Sequence, residues 1–443
     1  MAVNVAVVGL GFVGSSVAAA LVERGVDVVG VDTDLERIAE LHDRRCRISE
    51  PELPELLFAG LDSGRLRVTG DYDAVGSAEV VIVAVGTPVR EDGHLDDSQL
   101  RGAMAELAPR LAPDTLLICK STVPPGGTRE LVAPALERAG LTCGEDVALA
   151  FCPERLAEGR ALRELREFPV VVSGYTDKCA TRAAEFWQAT LGVPVIPCST
   201  LEAAELVKMA DNWWIDHNIA LANELAKVCG AYDVDVLDVI KAANSIPKGN
   251  GNVNILLPSV GVGGSCLVKD PWMIWQAARQ RGIDLATVPV ARQVNDTMPH
   301  YTVDLIEAGL RRLGKDPAGA KVAVLGLAFK NDTGDLRATP TKPVVQRLLA
   351  AGSEVSVYDP LAVPAEVTAT FGQAPAATLE EAVAGADCLA VLAHHQQFHA
   401  IDFTRLKDLV APSCLVIDGR AYYSREKIEE LRRAGYTYQG IGR

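Results

Sequence analysis

The amino-acid sequence predicts an α/β protein in which two doubly wound parallel-sheet domains are joined by a helical middle domain. Three observations carry that reading. Short apolar runs alternate with helix-length stretches from the N-terminus to about residue 198. Some forty residues after that contain neither proline nor a strand-like run. The alternation then returns at residue 321, where KVAVLGLAF echoes the first run, VNVAVVGLG.

The first run spans residues 3–11 and ends in glycine. A continuous apolar run suits a parallel strand buried on both faces. Residues 12–24 suit a helix, and VDVVGVD (26–32) a second strand. Further strand-like runs lie at 80–85, 115–120, 147–151 and 169–174. The helix-length stretches DDSQLRGAMAELAPRL, PGGTRELVAPALERAG and DKCATRAAEFWQATLG lie among and after them. Such alternation implies a doubly wound sheet. In the middle, Ser199 or Thr200 suits an N-cap, and Leu206, Met209 and Trp213 recur at helical spacing. They predict a long helix and a shorter one, a Gly/Pro/Asn-rich loop over 244–265, then more helix to about 313. KVAVLGLAF, SEVSVYD, DCLAVLA and CLVIDG read as strands of a degenerate second copy, whose first turn keeps one glycine, Gly326. The expected domains are 1–198, 199–313 and 314–443.

Bulk properties remove several function classes. Lys plus Arg number 43 against 58 Asp plus Glu, a net charge of −15 over 443 residues. So acidic a chain is poorly suited to general nucleic-acid or anionic-membrane binding. It must hold phosphates with glycine loops and a few placed cations. The apolar N-terminus lacks a positive leader and is broken by glycines, so it reads as strand and turn. Ten cysteines lie scattered without CxxC or Cys/His ligand spacing, which argues against a disulfide scaffold or structural zinc. The expected setting is the cytoplasm. The seven histidines form no metal pattern, so no metal is expected.

Gly9, Gly11 and Gly14 form G-x-G-x-x-G between a strand and a helix. The first glycine permits the tight turn, the second lets a pyrophosphate reach the backbone, and the third lets helix and strand pack closely. The helix N-terminus then offers N–H groups to the anion. Asp32, at the end of the second strand, suits a ribose 2′-hydroxyl and would repel a 2′-phosphate, which favours NAD; Arg37 nearby tempers that preference. Both sheet domains are therefore read as Rossmann-like.

The stretch VGVGGSCLVKDPW (260–272) sets Cys266 after Gly261, Gly263 and Gly264. The glycines deny it side-chain cover and let a ligand near the backbone. Lys269 would lower the thiol pKa if it pointed back, and Asp270 adds a carboxylate one turn on. Beside a nicotinamide, a thiol can trap an aldehyde as a thiohemiacetal and then carry a thioester. Lys208 and Asn212 lie four apart on the middle helix, where they suit an alkoxide; by spacing alone Lys208 is a solvated lysine. By the same test Glu154 and Glu158, in CPERLAEG, are a wet helix face. Thr122, in STVPPGG, falls in a loop after a strand, where active-site loops of open α/β sheets sit. Trp213 and Trp214 read as core or interface aromatics.

Together GLGFVG, VGTP (85–88), STVPPG, CPERLAEG, ELVKMADN, GVGGSCLVKDP and GLAFKNDTGDLRATP resemble the nucleotide-sugar 6-dehydrogenases that act on UDP-glucose, UDP-N-acetylhexosamines or GDP-mannose, over essentially the full length. The resemblance implies an N-terminal NAD domain, a helical middle that forms a homodimer, and a C-terminal domain that holds the nucleotide of a UDP-sugar. It implies that Cys266 is the catalytic thiol and Asp270 its partner for water and protons. Lys208 and Asn212 become the oxygen-stabilising pair, Glu154 the hydrolytic base and Thr122 the water holder. Cofactor contacts fall on Gly9, Gly11, Phe12, Val13, Gly14, Asp32, Arg37, Thr87, Thr122, Glu158 and Arg337. Substrate contacts fall on Glu154, Arg155, Lys208, Asn212, Asn254, Gly263 and Lys330. CPER and NVNILLPSVGVGG are similar to the N-acetylmannosamine and N-acetylglucosamine branch, whereas CLVKD leans towards the glucose and mannose branches. Asn252 stands where acetamido-sugar members carry an arginine, with Lys248 nearby, and Ser265 replaces a histidine common in that branch.

The activity so implied is an NAD-dependent, four-electron oxidation of a UDP-sugar C6 hydroxyl to the uronate, in polysaccharide biosynthesis. The favoured sugars are N-acetyl-D-mannosamine and N-acetyl-D-glucosamine, with glucose as the alternative. A two-electron hydroxy-acid dehydrogenase would need neither Cys266 nor the C-terminal domain. A non-catalytic nucleotide-sugar-binding protein would not need the intact Thr122, Glu154, Lys208, Asn212, Cys266 and Asp270.

Overall fold

The computed structural model describes residues 3–443 except Glu91 and Asn250. The chain forms two compact units, Met1–Asp211 with Trp272–Ile283, and Asn212–Pro271 with Asp284–Arg443.

The first unit is built on eight strands: β1 (Asn4–Val8), β2 (Asp27–Val31), β3 (Leu66–Thr69), β4 (Val80–Val83), β5 (Thr115–Cys119), β6 (Val147–Phe151), β7 (Val170–Gly174) and β8 (Val195–Pro197). They lie in the order β3-β2-β1-β4-β5-β6-β7-β8, parallel throughout except for the antiparallel pair β6 and β7. The strands are apolar on both faces because helices cover both. Val5 and Val7 of β1 join one core with Leu21 and Leu57, while Ala6 and Val8 join the other with Met104 and Leu107. Each fully buried Val or Leu contributes about 1.5–3 kcal/mol. The order reverses between β1 and β4, the place where open α/β sheets bind ligands.

At that reversal the three motif glycines do different things. Gly9 has φ +92°, and a Cβ there would lie 2.8 Å from the Ala84 carbonyl oxygen. A Cβ on Gly14, in the first turn of the helix Phe12–Glu23, would lie 1.8 Å from the Gly9 carbonyl oxygen. A Cβ on Gly11 would meet nothing within 4 Å. Folding needs the first and third glycines; the second leaves backbone open.

In the second unit β9 (Pro247–Lys248) pairs antiparallel with β10 (Gly251–Asn252). The main sheet comprises β11 (Lys321–Leu325), β12 (Glu354–Tyr358), β13 (Cys388–Val391), β14 (Leu415–Asp418) and β15 (Thr437–Gly440), all parallel, in the order β12-β11-β13-β14-β15. It repeats the first turn closely. Gly326 N–H bonds to the Tyr358 carbonyl at 2.9 Å, as Gly9 N–H bonds to Val31 at 2.8 Å. Asp359 accepts from Leu327 N–H at 2.6 Å, as Asp32 accepts from Leu10 N–H at 2.6 Å. The copy diverges after the turn: Ala328 and Asn331 replace the second and third glycines, and no helix begins until Thr341.

The middle of the chain folds as Leu201–Ala231, Val236–Ala243, Asp270–Arg279 and Thr287–Arg312. Thr200 caps the first of these, its hydroxyl accepting from Ala203 N–H at 3.1 Å. No described helix is long and apolar enough to cross a membrane.

CPERLAEG is the element that differs from its spacing. Residues 152–159 form an irregular segment ending in a turn, not a helix, and Glu154 is buried. Pro153 disfavours helix at the residue before it. Beyond it, distant acids take the N–H groups: Glu164 accepts from Ala157 at 2.6 Å, and buried Glu50 from Gly159 at 2.6 Å and Ala161 at 2.7 Å.

Gly14→Ala is expected to lose about 2 kcal/mol or more by overpacking, whereas Gly11→Ala unfolds like the native chain. Denaturant melts of the two variants check this.

Candidate active site

Asp32 sits at the end of β2, buried, with its carboxylate at the glycine turn. It accepts from Leu10 N–H at 2.6 Å, Asp34 N–H at 2.8 Å and Arg37 Nη1 at 2.8 Å. A carboxylate has about four acceptor positions, so a ribose hydroxyl can still be taken. Arg37 also pairs with Asp34 at 3.3 Å. Doubly engaged with carboxylates, it does not stand as a site for a 2′-phosphate. Phe12 and Val13 open the helix behind Gly11, and Thr87 is buried in the segment after β4. The bare backbone at Gly11, the helix N-terminus and the Asp32 carboxylate fit NAD.

Elsewhere in the first unit two charges meet out of water. Lys208, on Leu201–Ala231, is buried with its Nζ 3.3 Å from Glu154 Oε2, and Glu154 is equally buried. Lys208 is therefore no solvated lysine. Breaking such a pair by removing one partner costs about 3–5 kcal/mol. The other oxygen of Glu154 accepts from Leu156 N–H, which fixes the carboxylate in its own loop. Glu205, which sequence reasoning missed, lies one helical turn before Lys208. It accepts from Gly126 N–H at 2.6 Å and Thr128 N–H at 2.8 Å, and burial raises its pKa against those bonds. It ties the loop carrying half-buried Thr122 to the helix carrying Lys208. Arg155 is exposed and donates to the Pro169 carbonyl at 2.5 Å, and Glu158 is half-buried in the turn that Glu50 holds.

In the second unit Asn212 Nδ2 donates to Asp270 Oδ2 at 2.5 Å, and Asp270 is fully buried. Lys269 Nζ binds Asp270 Oδ1 at 2.6 Å. The Cys266 carbonyl accepts from the N–H groups of Lys269 at 3.1 Å and Asp270 at 2.9 Å. That places the thiol one turn before Asp270. Cys266 alone of the ten cysteines is exposed, and none forms a disulfide. Burial pushes Cys119 up to about 12 and Cys143 and Cys152 to about 11, so those thiols are inert.

The glycines before the thiol serve chain packing rather than open approach. A Cβ on Gly263 would lie 2.6 Å from the Ala338 carbonyl oxygen, and one on Gly264 2.7 Å from the Phe329 ring. Gly264 N–H also bonds to the Arg337 carbonyl at 3.1 Å. The loop is held further back by Asn223, which accepts from Ser259 N–H at 2.8 Å and donates to Asn295 at 2.9 Å. Asn254 is exposed; its carbonyl accepts from Asn218 at 2.7 Å.

Half-buried Lys330 follows Phe329 in the turn after β11, at the strand-order reversal of the second sheet. Arg420, also missed in the sequence, holds that turn: it donates to the Phe329 carbonyl, and at 2.9 Å to the Leu392 carbonyl. Arg337 is exposed, with its guanidinium on Asp335 at 2.8 Å. His395 is a buried partner of Asp359 at 2.9 Å, and burial holds His394 down to about 4. Among the described residues no group of His, Cys, Asp and Glu is arranged for a metal ion.

Residues 3–190 match the NAD binding domain of the UDP-glucose/GDP-mannose dehydrogenase family, 202–297 its central domain and 323–425 its UDP binding domain. The chain is 32 % identical to a UDP-N-acetyl-D-mannosamine dehydrogenase of Methanococcus maripaludis, over 99 % of this chain and 97 % of that one. It is similar in structure to a UDP-D-ManNAc dehydrogenase from Pyrococcus horikoshii, with TM-score 0.88, 32 % identity and 99 % of each chain covered. A UDP-glucose dehydrogenase from Pyrobaculum islandicum gives TM-score 0.87 at 29 % identity, covering 100 % of this chain and 98 % of that one.

Limited alkylation with iodoacetamide is expected to modify Cys266 before any other thiol. Intact mass and peptide mapping check it; a native-like rate in Cys266→Ser would show that another sulfur reacts.

Proposed function

From the premise that this chain belongs to the UDP-glucose/GDP-mannose dehydrogenase family, we propose that it oxidises the C6 hydroxyl of a UDP-N-acetylhexosamine to the uronate. It is an NAD-dependent oxidoreductase of nucleotide sugars. N-acetyl-D-mannosamine or N-acetyl-D-glucosamine is the proposed sugar, supported by CPER, by NVNILLPSVGVGG and by the likeness to mannosamine dehydrogenases. UDP-glucose is the second reading, favoured by the lysine in CLVKD and the likeness to a glucose dehydrogenase.

The observation that carries the four-electron reading is the exposed thiol of Cys266, set one turn before buried Asp270. A two-electron dehydrogenase has no use for it. NAD, held at the Gly9–Gly14 turn and Asp32, supplies the hydride acceptor. Lys208 and Asn212 stabilise the C6 oxygen as it gains charge. Cys266 sulfur bonds to the aldehyde carbon and later carries the acyl group as a thioester. Glu154 takes the proton from the water that cleaves it, with Thr122 holding that water. Asp270, bonded to Asn212 and Lys269, handles protons at the thiol. Lys330 takes the nucleotide phosphates, with Arg337 reaching the cofactor.

We also propose that the chain is a homodimer through Leu201–Ala231. That helix buries polar residues and carries an exposed apolar stripe. Glu205, Lys208, Asn212, Asp216 and Asn223 are buried, whereas Trp214, Leu221 and Val228 are 46 %, 48 % and 55 % exposed. At about 100° per residue the two sets occupy opposite faces. An apolar stripe at seven-residue spacing suits a second copy of the same helix.

Two NADH are expected per sugar consumed, with turnover on UDP-N-acetylhexosamines exceeding that on UDP-glucose and GDP-mannose; absorbance at saturating NAD reads both. Free aldehyde with one NADH contradicts the thiol scheme, and preference for UDP-glucose moves the sugar assignment. Cys266→Ser is expected to lower uronate formation by roughly 10³-fold or more. Sedimentation is expected to show a dimer that Trp214→Glu with Leu221→Glu converts to monomer; a native monomer at micromolar concentration would remove the dimer.

A further inference from the structure

Lys120 is a buried charge to which the scheme above gives no task. It directly follows β5, is 5 % exposed, and its Nζ donates to the Cys152 carbonyl at 3.3 Å. The same ammonium lies 5.2 Å from the centre of the Trp187 ring, whose Nε1 donates to Cys152 Sγ at 3.2 Å. Cys152 stands two residues before Glu154. The titratable groups that act on Lys120 are Cys152 and Glu154, which favour its ammonium form, and Arg155 and Lys208, which oppose it. Burial, the largest influence, holds its pKa below the usual lysine range.

Methionine would fill the same space without a charge to desolvate, and burying an ion costs several kcal/mol unless it is well paired. A role in packing therefore does not account for an ammonium here. What the charge does locally is specific. It fixes the peptide carbonyl that leads into Pro153 and Glu154, and it adds a second cation near the carboxylate already paired with Lys208.

We propose that Lys120 is a positioning residue for Glu154, fixing the peptide that presents this carboxylate and supplying positive potential beside it during thioester hydrolysis. The proposal rests on the reading of Glu154 as the hydrolytic base. In that step the oxygen of water bonds to the thioester carbon and the carbon–sulfur bond breaks. Its electron pair leaves with Cys266 sulfur, and the proton of water passes to Glu154. Lys120 acts through the Cys152 carbonyl that precedes Glu154.

The test compares the native chain with Lys120→Met and Lys120→Arg at saturating NAD and UDP-sugar. Covalent adduct on Cys266 is read by intact mass after acid quench, and kcat and KM are followed across pH. Tight NADH binding, seen by its fluorescence, certifies each variant as folded. In Lys120→Met the adduct is expected to accumulate above its native occupancy while kcat falls about tenfold and KM stays within about twofold. Losing a nearby cation makes a carboxylate harder to ionise, so the acid limb of kcat is expected to move to higher pH. Lys120→Arg, which keeps the charge, is expected to hold the native limb. An unmoved acid limb in Lys120→Met overturns the proposal, as does a fall in kcat with the adduct lost in proportion. No adduct and no second NADH in the native chain overturns the thiol scheme itself, and this proposal with it.

Discussion

One constraint organises this molecule: the helix Leu201–Ala231 buries a row of polar side chains among its apolar ones. Burying a charge costs several kcal/mol, and the fold accepts that cost repeatedly along this element. Each buried group reaches a different distant segment. Glu205 takes the N–H groups of Gly126 and Thr128, Lys208 meets Glu154, and Asn212 meets Asp270. Asp216 pairs with Arg292 at 2.7 Å, and Asn223 holds Ser259. Irregular segments have no ladder of their own to fix them, so directional bonds from a rigid element do it. Within each unit, apolar contacts alone would leave such segments without defined positions. Replacing both members of such a pair with well-packed apolar groups is often neutral for stability, whereas removing one member is costly.

The two sheets show how one turn serves two ends. Both copies bring an aspartate from the second strand onto the N–H after a glycine with positive φ, Asp32 on Leu10 and Asp359 on Leu327. In the first copy Gly11 leaves backbone open and a helix starts at once, so N–H groups face outward at the strand-order reversal. In the second, Ala328 and Asn331 replace the later glycines and His395 closes on Asp359. That turn presents side chains instead of N–H groups: Lys330, with Arg420 bracing the Phe329 carbonyl.

What the sequence shows of this follows from the range of the interactions. Apolar runs locate the strands because burial on both faces demands them, and the glycine turn is legible because sterics dictate it within six residues. Glu205, Lys120 and Arg420 are not legible, because each acts on a group 32 to 91 residues away. Lys208 looked solvated by spacing because its partner lies 54 residues off. Glu154 and Glu158 share helical spacing, yet Glu50 takes the N–H groups of Gly159 and Ala161 from 109 and 111 residues away. Local periodicity has no access to such a competitor. The resemblance of whole motifs did reach these segments, since a motif carries the outcome of long-range contacts without naming them.

The same reasoning explains why one thiol in ten is set apart. Eight of the others are held above the usual thiol range chiefly by burial: Cys46, Cys119, Cys143, Cys152, Cys198, Cys229, Cys388 and Cys414. Cys266 alone of the ten is exposed, in a loop whose glycines pack backbone against its neighbours. Gly263 and Gly264 let the chain lie against Phe329, Ala338 and Pro340 at distances no Cβ would allow, so the loop is anchored before the sulfur is reached. Asp270, locked by Asn212 and Lys269, anchors it again one turn later. Between these two anchored points the cysteine is exposed. The glycines make the packing contact, and the exposed cysteine follows them in the chain.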